Sequence, residues 1–556
     1  MMREQTFAGA GREAVLASME EQDFDLLVIG GGITGAGIAL DAETRGIRTA
    51  LVEMQDFAAG TSSRSTKLVH GGLRYLKQLE IKLVAEVGRE RAVVYENAPH
   101  VTTPEWMLLP LVQGGTFGRM ATSVGLLVYD RLAGVRRSER RRMLSRSEAL
   151  QREPLLRADI LKGGGYYVEY RTDDARLTIE TMKEAVRRGA RAVNYARAVE
   201  VLYDGGRASG VRIADTLTGK TRDLRAKIIV NAAGPWVDEL RELDRSREGK
   251  RIHLTKGVHL VVDGGRFPLR QAVYFDTPDK RMVFAIPREG KTYIGTTDTN
   301  YTGDIANPRM TAADRDYLLE AANGMFPSLE LTPDDVESSW AGLRPLIHED
   351  GKSPSELSRK DEIFEAPSGL LSIAGGKLTG YRRMAERVVD LVTSRLADQG
   401  RGPYRECGTE RLALSGGQVG GSAGFEAFVR ESVRAGTNAG LTAETAEWLA
   451  RRYGSNAAEL YELHRVRGGE AREFGLPPRT FLTLLYAMEE EMAVTPADYF
   501  IRRTGALYFD IEEVRRTLGP VTRYMAAHYG WSEEIQEERM AEMKRRLEEA
   551  VTPVDG

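Results

Sequence analysis

Three glycines and one glutamate give the sequence its first chemical signature. Gly30, Gly32 and Gly35 form a G-x-G-x-x-G pattern, and Glu53 follows downstream. The first glycine of such a pattern permits a tight turn, the second lets the backbone approach a pyrophosphate, and the third allows a helix to pack closely on a strand. A carboxylate at Glu53 can accept hydrogen bonds from ribose hydroxyls and repels a 2′-phosphate. The pattern therefore predicts a bound FAD or NAD, and not NADP.

The surrounding elements are those that this chemistry needs. Residues 25–30 form a short apolar run typical of a buried parallel strand, residues 33–45 predict a helix, and residues 49–53 predict a second strand. Together they form a βαβ unit. The next convincing parallel strands come far downstream, at 227–234 and 369–374. An NAD site is usually completed by consecutive βα units, so this discontinuity favours FAD.

The rest of the chain shows three different patterns. Residues 81–160 are expected to be mostly helical, whereas residues 252–300 predict short strands rich in Val, Ile, Phe and Tyr. The Gly- and Pro-containing stretch 398–408 predicts a linker. Beyond it the sequence indicates amphipathic helices with almost no strand signal. The clearest of these helices are expected at 442–453, 479–492 and 532–551.

Composition excludes several classes of protein. The 556 residues carry a net charge of −3, which argues against a dedicated nucleic-acid binder. Cys407 is the single cysteine, so neither an intramolecular disulfide nor a thiolate metal cluster is expected, and no metal site is predicted. The N-terminal residues show no apolar segment of a secretory signal, and no uncharged apolar run reaches about 18 residues. These features predict a cytoplasmic protein without a membrane span.

Six segments, taken in order, resemble one known family. They read DLLVIGGGITGAGIALDAETRGIRTALVE, TSSRSTKLVHGGLRYL, NAAGPWV, IGTTD, GLRPL and AGGKLTGYRRMAE. This series is similar to that of the FAD-dependent, quinone-linked glycerol-3-phosphate dehydrogenases, from about residue 23 to the C-terminus. The resemblance implies oxidation of sn-glycerol 3-phosphate to dihydroxyacetone phosphate, with FAD as cofactor and electrons passed to a membrane quinone.

The resemblance also implies a fold of class α/β + α. A Rossmann-like FAD-binding domain is expected to interleave with an α+β substrate domain, as in D-amino-acid oxidase and the glutathione-reductase-2 type. An all-α C-terminal domain follows. We assign residues 23–80, 160–245 and 350–400 to the FAD-binding domain, residues 81–159 and 246–349 to the substrate-binding domain, and residues 405–556 to the helical domain.

The residues implied to bind FAD lie at the glycine-rich turn, along the polar loop after the second strand, and at the ends of two later strands. The Gly-Gly step of the loop would let its backbone pass close to the flavin. The implied set is Gly30, Gly32, Gly35, Glu53, Thr61, Ser62, Ser63, Ser65, Lys67, His70, Gly71, Gly72, Ala233, Gly234, Gly376, Lys377, Leu378 and Thr379.

The implied substrate carries a phosphate dianion, which calls for several cations converging on one pocket because guanidinium groups bind phosphate oxygens in pairs. Matching the family motif by motif gives cations at loop or strand ends, with two hydroxyl groups beside them. The predicted substrate-binding residues are Arg74, Tyr75, Thr296, Arg344, Arg359 and Lys377.

Three residues are predicted to take part in catalysis. The alcohol must lose its proton as hydride leaves C2, and His259 is the first choice as general base, with Arg344 as the alternative. Lys377, at the start of a helix, could stabilise negative charge on the reduced flavin.

Membrane contact is predicted from a different segment. Residues 122–146 join a short apolar helix to a cluster of seven arginines, which suits an anionic bilayer surface, although a solvated basic helix explains the pattern equally well. The cluster consists of Arg131, Arg136, Arg137, Arg140, Arg141, Arg142 and Arg146. We expect peripheral association with the inner face of the cell membrane. A homodimer is one quaternary state left open.

Three alternatives share most of these motifs. An oxidase would pass the electrons to oxygen and form peroxide. An amine oxidase of the same fold would prefer a carboxylate pocket with fewer converging cations. A protein of a different class, a non-catalytic flavin-binding membrane adaptor, would use the helical domain as its interaction surface.

Overall fold

The strands of the protein form two large sheets. Its structure, a computed structural model, describes residues 7–69, 81–115, 140–348 and 361–555. Within these ranges the first sheet has eight strands and the second has ten. The strands are β1 (Asp23–Ile29), β2 (Thr49–Val52), β3 (Leu68–Val69), β4 (Thr102–Val112), β5 (Arg142–Ser145), β6 (Leu161–Thr172), β7 (Arg191–Val193), β8 (Ala196–Asp204), β9 (Arg207–Asp215), β10 (Thr221–Asn231), β11 (Ile252–Asp263), β12 (Ala272–Asp276), β13 (Met282–Arg288), β14 (Lys291–Gly295), β15 (Thr299–Asn300), β16 (Val336–Ile347), β17 (Glu362–Glu365) and β18 (Leu371–Ala374).

Helices cover both sheets and make up most of the C-terminal part. They are α1 (Arg12–Glu20), α2 (Ile33–Arg45), α3 (Ile81–Asn97), α4 (Arg146–Arg152), α5 (Asp174–Arg187), α6 (Val237–Leu243), α7 (Ala312–Met325), α8 (Tyr381–Asp398), α9 (Gly421–Asn438), α10 (Ala443–Tyr453), α11 (Ala457–Arg467), α12 (Glu470–Glu473), α13 (Pro478–Glu490), α14 (Ala506–Phe509), α15 (Ile511–Tyr529) and α16 (Glu533–Val551). A π-helix spans Asp498–Arg503.

The first sheet contains the predicted βαβ unit. Its central strands are parallel and run in the order β18, β10, β1, β2, β7. Residues 26–29 of β1 pair with 49–52 of β2 on one side and with 228–231 of β10 on the other. Burial from both sides explains why β1 and β2 are continuous apolar runs. The prediction of a buried strand, helix and second strand is confirmed.

The second sheet is mixed and mostly antiparallel. Its strands run in the order β15, β11, β14, β13, β12, β4, β6, β3, with β16 also paired to β11 and β5 to β6. The long pairing of β11 with β16 places His259 opposite Trp340 and Thr255 opposite Arg344. The second sheet thereby brings together two sequence segments that lie about 80 residues apart.

The prediction that residues 81–160 are mostly helical is wrong for the described part of that region. β4 is an 11-residue strand, and β5 is a second strand in the same region. Pro104 and Pro110 obscured the strand signal because proline is usually excluded from the middle of a sheet. They are tolerated because β12 pairs with β4 only at Met107 and Leu108, away from both prolines.

The predicted domain boundaries stay a prediction. The parallel strands of the first sheet come from residues assigned to the FAD-binding domain. Two strands in the segments assigned to that domain, β3 and β6, pair in the second sheet. A cut at residue 80 or 160 would therefore divide the second sheet.

The C-terminal part is helical among its described residues from 405 to 555, as predicted. It shares an apolar core with one face of the second sheet, where Tyr293 and Trp340 contact Phe509 with ring centroids 5.8 and 5.6 Å away. In the described part of the chain, no helix is both long and apolar enough to cross a membrane.

A buried ionic cluster joins this helical part to the first sheet. Asp56, which follows β2, is fully buried and accepts hydrogen bonds from the guanidinium groups of Arg502 and Arg503. Asn194 donates a further hydrogen bond to the same carboxylate. Burial alone would raise the pKa of Asp56, but the two guanidinium groups outweigh it and lower the pKa to about 2.

Removing this carboxylate should destabilise the protein. Asp56→Ala leaves the fully buried Arg503 without its main counter-charge, a loss that costs about 3–5 kcal/mol in comparable buried pairs. Thermal unfolding measures the effect. Asp223→Ala, which breaks an ion pair with Arg212 at the surface, is the matched control and should cost no more than about 1 kcal/mol. Equal midpoints for the two variants would contradict the structural role of Asp56.

Candidate functional site

A cavity of about 540 Å³ lies at the carboxyl ends of the parallel strands of the first sheet. Ligands of open α/β sheets bind at this edge because the loops that follow neighbouring strands meet there. Eleven residues predicted to bind the cofactor line this cavity. They are Gly30, Gly32, Glu53, Thr61, Ser62, Ser65, Ala233, Gly234, Gly376, Lys377 and Leu378.

The three glycines of the G-x-G-x-x-G pattern have different structural roles. Gly30 has φ +116°, a conformation that residues with side chains rarely adopt. A Cβ on Gly35 would overlap the carbonyl oxygen of Gly30, so this glycine lets α2 pack against the end of β1. A Cβ on Gly32 would lie 3.1 Å from the Ser62 Oγ, within the cavity lining. Gly35 therefore acts through packing, and Gly30 and Gly32 shape the cavity wall.

The N-terminus of α2 points its backbone donors at the cavity. The Ile33 N–H donates to the Ser62 Oγ at 3.0 Å, and Ile33 and Thr34 line the cavity beside Gly32. Such a helix end carries partial positive charge and unsatisfied N–H groups, which together bind phosphate groups. The predicted pyrophosphate position is consistent with this geometry.

Glu53 lies on the cavity wall and is held by the backbone. Its carboxylate accepts hydrogen bonds from the Gly31 N–H at 2.7 Å and the Gln55 N–H at 2.8 Å. Burial raises the pKa of Glu53 above its ordinary value, and the two N–H groups oppose that shift. A carboxylate with two oxygens offers about four acceptor positions, so it can also accept from a ribose hydroxyl.

The polar loop between β2 and β3 is anchored by Asp174, the first residue of α5. The buried Asp174 carboxylate accepts hydrogen bonds from the Ser65 N–H at 2.9 Å and the Ser65 hydroxyl at 2.7 Å. It also pairs with the Lys67 Nζ at 2.6 Å, and that ammonium donates to the Ser63 carbonyl. Lys67 does not line the cavity in the described structure; it fixes the loop that does.

The same loop is tied to the second sheet. The Trp340 Nε1 donates to the Ser65 carbonyl at 3.1 Å, and the Tyr293 hydroxyl donates to the Thr66 carbonyl at 3.0 Å. The Thr61 hydroxyl donates to the Leu343 carbonyl at 2.7 Å. The loop therefore spans from the cofactor cavity to the predicted substrate-binding strands.

Arg344 and Thr296, two predicted substrate-binding residues, are in direct contact. The Arg344 Nη2 donates to the Thr296 Oγ1 at 3.0 Å, and its Nη1 pairs with Asp298 at 3.1 Å. Gly257 on β11 makes room for both side chains, because a Cβ there would overlap them. The following residue, Pro345, lines the cofactor cavity. Arg344 and Thr296 do not themselves line that cavity; their contact fixes the guanidinium group beside the strand segment that does.

His259 is buried beside this pair. Its Nε2 lies 3.0 Å from the Thr66 Oγ1, and its ring stacks on Trp340 with centroids 4.7 Å apart. The side chain is 2% exposed, and its Nδ1 has no hydrogen-bond partner among the described residues. Burial, with smaller contributions from Arg344 and Lys67, lowers the pKa of His259 well below its ordinary value. The imidazole is therefore neutral near neutrality.

Lys377 caps the short 3-10 turn Leu378–Gly380 that leads into α8. The preceding Gly375 and Gly376 have φ +79° and +86°, which sends the chain around the cavity edge after β18. Lys377 therefore lines the cavity close to a helix N-terminus, with its Nζ buried.

Several predicted site residues do not line the cavity or lie outside the described residues. Ser63 is buried within the loop, with no hydrogen-bond partner for its Oγ in the described structure, and Thr379 is buried in the turn after Leu378. Six predicted residues lie outside the described residues. They are His70, Gly71, Gly72, Arg74, Tyr75 and Arg359.

Other residues of the site were not predicted. Residues 196–198 of β8 line the cavity, but their strand follows no glycine motif and gave no signal. Asp174 also carried no motif, since an acid at a helix start is common. Asp298 could have been found, because it ends the IGTTD segment that contains Thr296.

Comparisons with known proteins match the whole chain. The family described as FAD dependent oxidoreductase matches residues 25–382, and the C-terminal domain of alpha-glycerophosphate oxidase matches residues 407–536. The chain is 58% identical over 555 residues to the aerobic glycerol-3-phosphate dehydrogenase of Bacillus subtilis (strain 168), covering 100% of both chains. It is 54% identical over 541 residues to the protein of that name from Staphylococcus haemolyticus (strain JCSC1435), covering 97% of each.

Solved structures share the fold. The X-ray structure of the glycerol-3-phosphate dehydrogenase from Bacillus halodurans complexed with FAD has a TM-score of 0.86 and 53% identity, and the match covers 99% of both chains. An L-alpha-glycerophosphate oxidase from Mycoplasma pneumoniae has a TM-score of 0.54 at 18% identity, covering 67% of this chain and 95% of that one. The second match concerns the fold alone.

The lowered pKa of His259 predicts how stability depends on pH. Below about pH 6.5 the unfolded chain gains a proton at this imidazole that the folded protein does not bind. Stability should therefore fall as the pH falls from there towards the folded pKa, with a slope of about 1.4 kcal/mol per pH unit from this residue. His259→Asn should reduce the pH dependence of the thermal midpoint in that range. An unchanged dependence would mean that His259 is protonated in the folded protein.

Proposed function

Because the chain belongs to the FAD-dependent oxidoreductases and, within them, to the aerobic glycerol-3-phosphate dehydrogenases, we propose that it oxidises sn-glycerol 3-phosphate to dihydroxyacetone phosphate with bound FAD. The structural observation that carries the proposal is the position of Arg344. It is fixed by Thr296 and Asp298 in the segment that adjoins the cofactor cavity, and it influences the pKa of His259.

The residues of the cavity fit FAD. The N-terminus of α2 with Gly32 and Ser62 would hold the pyrophosphate, and Glu53 would hold the ribose. The orphaned Ser63 Oγ offers a buried hydroxyl in the same loop. Lys377 would stabilise negative charge near the isoalloxazine ring. When bound, FAD supplies the acceptor for the hydride that leaves C2 of the substrate.

Arg344 suits recognition of an anionic alcohol. Its guanidinium group is held in one orientation by the Thr296 hydroxyl and the Asp298 carboxylate, so little side-chain entropy is lost when an oxyanion binds. Arg74 and Arg359, outside the described residues, are proposed to complete the phosphate contacts. Thr296 adds a hydroxyl to the same surface.

His259 is the better supported of the two proposed bases. A neutral imidazole can accept the proton of the substrate hydroxyl, whereas an arginine stays protonated in proteins. The contact between the His259 Nε2 and the Thr66 Oγ1 holds the imidazole against the loop that borders the cofactor cavity. In this proposal Arg344 stabilises the developing alkoxide and His259 takes the proton.

Anaerobic reduction of the bound flavin tests the function. sn-Glycerol 3-phosphate should bleach the flavin absorbance, whereas a D-amino acid and sarcosine should not. Failure to bleach would favour a non-catalytic flavin-binding protein, and bleaching by sarcosine would favour an amine oxidase.

Arg344→Ala should retain the flavin and weaken reduction by sn-glycerol 3-phosphate about 10- to 100-fold, because charge-assisted hydrogen bonds contribute about 1.5–3 kcal/mol. Arg266→Ala, which removes a surface arginine paired with Asp335, is the control and should behave as the unaltered protein. Bleaching of Arg344→Ala at normal substrate affinity would contradict the assignment of this residue.

For the electron acceptor we propose a membrane quinone, reached by peripheral binding to the inner face of the cell membrane. The basic cluster of residues 131–146 supports membrane contact, although only Arg140, Arg141, Arg142 and Arg146 of it lie among the described residues. Because a quinone is dissolved in the lipid, the reduced enzyme must bind to the membrane surface to transfer its electrons.

Product analysis distinguishes quinone from oxygen. The enzyme should reduce a quinone analogue in anionic lipid vesicles faster than in neutral vesicles, since basic side chains are attracted to anionic lipid. Little peroxide should form for each substrate molecule oxidised in air. Near-stoichiometric peroxide would instead identify an oxidase.

A further inference from the structure

A second cavity, of about 470 Å³, lies next to the cofactor cavity. We call it the junction cavity, because its wall combines Met54–Asp56 after β2, the loop of residues 306–310, strand β16 and the C-terminal helices. Arg197 and Trp236 line both cavities. The proposed function assigns no role to the junction cavity.

The wall of the junction cavity is rich in charged side chains, with one more cation than anion. Five arginines and four carboxylates line it in the described structure. The arginines are Arg64, Arg197, Arg309, Arg502 and Arg546, and the carboxylates are Asp56, Glu239, Glu542 and Glu549. Asp56 is also shared with Arg503, which lies outside this lining.

Arg64, like Arg197 and Arg309, forms no ion pair in the described structure. Its Nη2 donates to the Ala306 carbonyl at 3.2 Å, and no carboxylate in the described part of the chain lies within ion-pair distance. Burial, together with Arg546 and Arg502 nearby, lowers the pKa of Arg64. Arg64 is partly exposed and lies near two other cations, so a bound anion would reduce the repulsion among them.

Two other arginines adjoin Arg64 through the same loop. The Arg546 Nη1 donates to the side chain of Asn307, the neighbour of the residue that Arg64 contacts. Arg309 donates through its Nη2 to the Thr552 carbonyl, and its buried Nε has no partner among the described residues. Arg309 thus belongs to this loop, and Arg64 and Arg546 contact it from two other elements of the cavity wall.

Three of the four carboxylates of the wall have cationic partners in the described structure. Asp56 accepts from Arg502, Arg503 and Asn194. Glu549 lies 3.2 Å from the Asn307 amide nitrogen and 3.4 Å from an Arg546 nitrogen, and Glu542 lies 3.6 Å from Arg539. Glu239 is exposed and forms no ion pair in the described structure. Glu549 thus offsets part of the charge of Arg546, whereas none of the four carboxylates pairs with Arg64 or Arg309 in the described structure.

We propose that the junction cavity is a binding site for a small phosphate-containing anion, held by Arg64, Arg309 and Arg546 and separate from the sites of substrate and FAD. Guanidinium groups suit phosphate because their planar N–H pairs match its oxygens. The aromatic side chains of Trp236, Trp340 and Tyr508 also line the cavity and leave an apolar surface for an organic substituent on the phosphate.

Binding there would connect two distant parts of the chain. Arg64 belongs to the loop that carries Ser62, Ser63 and Ser65, whereas Arg546 belongs to the C-terminal helix α16. An anion held by both would cross-link this helix to the loop at the cofactor cavity. Such a ligand binds only the folded protein, so it would also raise the thermal midpoint.

Calorimetric titration of the FAD-loaded protein tests this site, at constant ionic strength, with inorganic phosphate and with phenyl phosphate. Arg64→Gln and Arg546→Gln should each weaken a saturable phosphate-binding event about tenfold or more, the loss expected for one charge-assisted hydrogen bond. Arg545→Gln removes the same charge from the exposed side of the same helix and should leave the event unchanged. Arg344→Ala should also retain it.

Tighter binding of phenyl phosphate than of inorganic phosphate would support the site and identify an organic phosphate as its ligand. Equal or weaker binding of phenyl phosphate would support a site for inorganic phosphate. The proposal is overturned if phosphate shows no saturable binding, if only Arg344→Ala abolishes it, or if Arg64→Gln and Arg546→Gln leave it unchanged. Loss of FAD from both of these variants would also overturn it, because the cavity would then belong to the cofactor.

Discussion

The geometry of the site depends on one buried carboxylate, that of Asp174. It accepts two hydrogen bonds from Ser65 and pairs with Lys67, and so fixes the loop between the cofactor cavity and the second sheet. Its position at the start of α5 adds the favourable field of a helix N-terminus. With the loop fixed, Thr66 meets the imidazole of His259, and Thr61 meets β16 close to Arg344. His259 and Arg344 are thereby placed relative to the same loop.

The glycine-rich turn and the acidic residue of the cofactor cavity could be predicted from the sequence, because their chemistry requires particular residue types at fixed spacing. Gly30, Gly32 and Gly35 are needed for turn, approach and packing, and Glu53 follows at the end of the next strand. The assignment of Arg344 and Thr296 to the substrate site came from family motifs; neither residue has a local pattern of its own. Periodicity could not have paired them, because Thr296 follows β14 and Arg344 lies on β16, and these strands come together only through their shared neighbour β11.

The strand and the acidic residues that were not predicted depend on partners that are distant in the sequence. Strand β4 was missed because its prolines oppose a sheet assignment, and only the short pairing with β12 makes them acceptable. Asp174 and Asp56 act through partners more than 100 residues away, and a single acidic residue gives no sign of such a partner. The roles of Lys67 and Asp56 follow from burial, which no local window of sequence reveals.

The link between Asp56 and the arginines of the π-helix bears on how this protein can be divided or recombined. Residues 398–408 look like a linker at which the helical part could be separated from the rest of the chain. The charge of Asp56, before this stretch, is nevertheless balanced by arginines of the π-helix after it. Grafting the helical half of one relative onto another would succeed only if both carry compatible partners at positions 56, 502 and 503. The two parts of the chain therefore depend on each other electrostatically, in spite of the boundary that the sequence suggests.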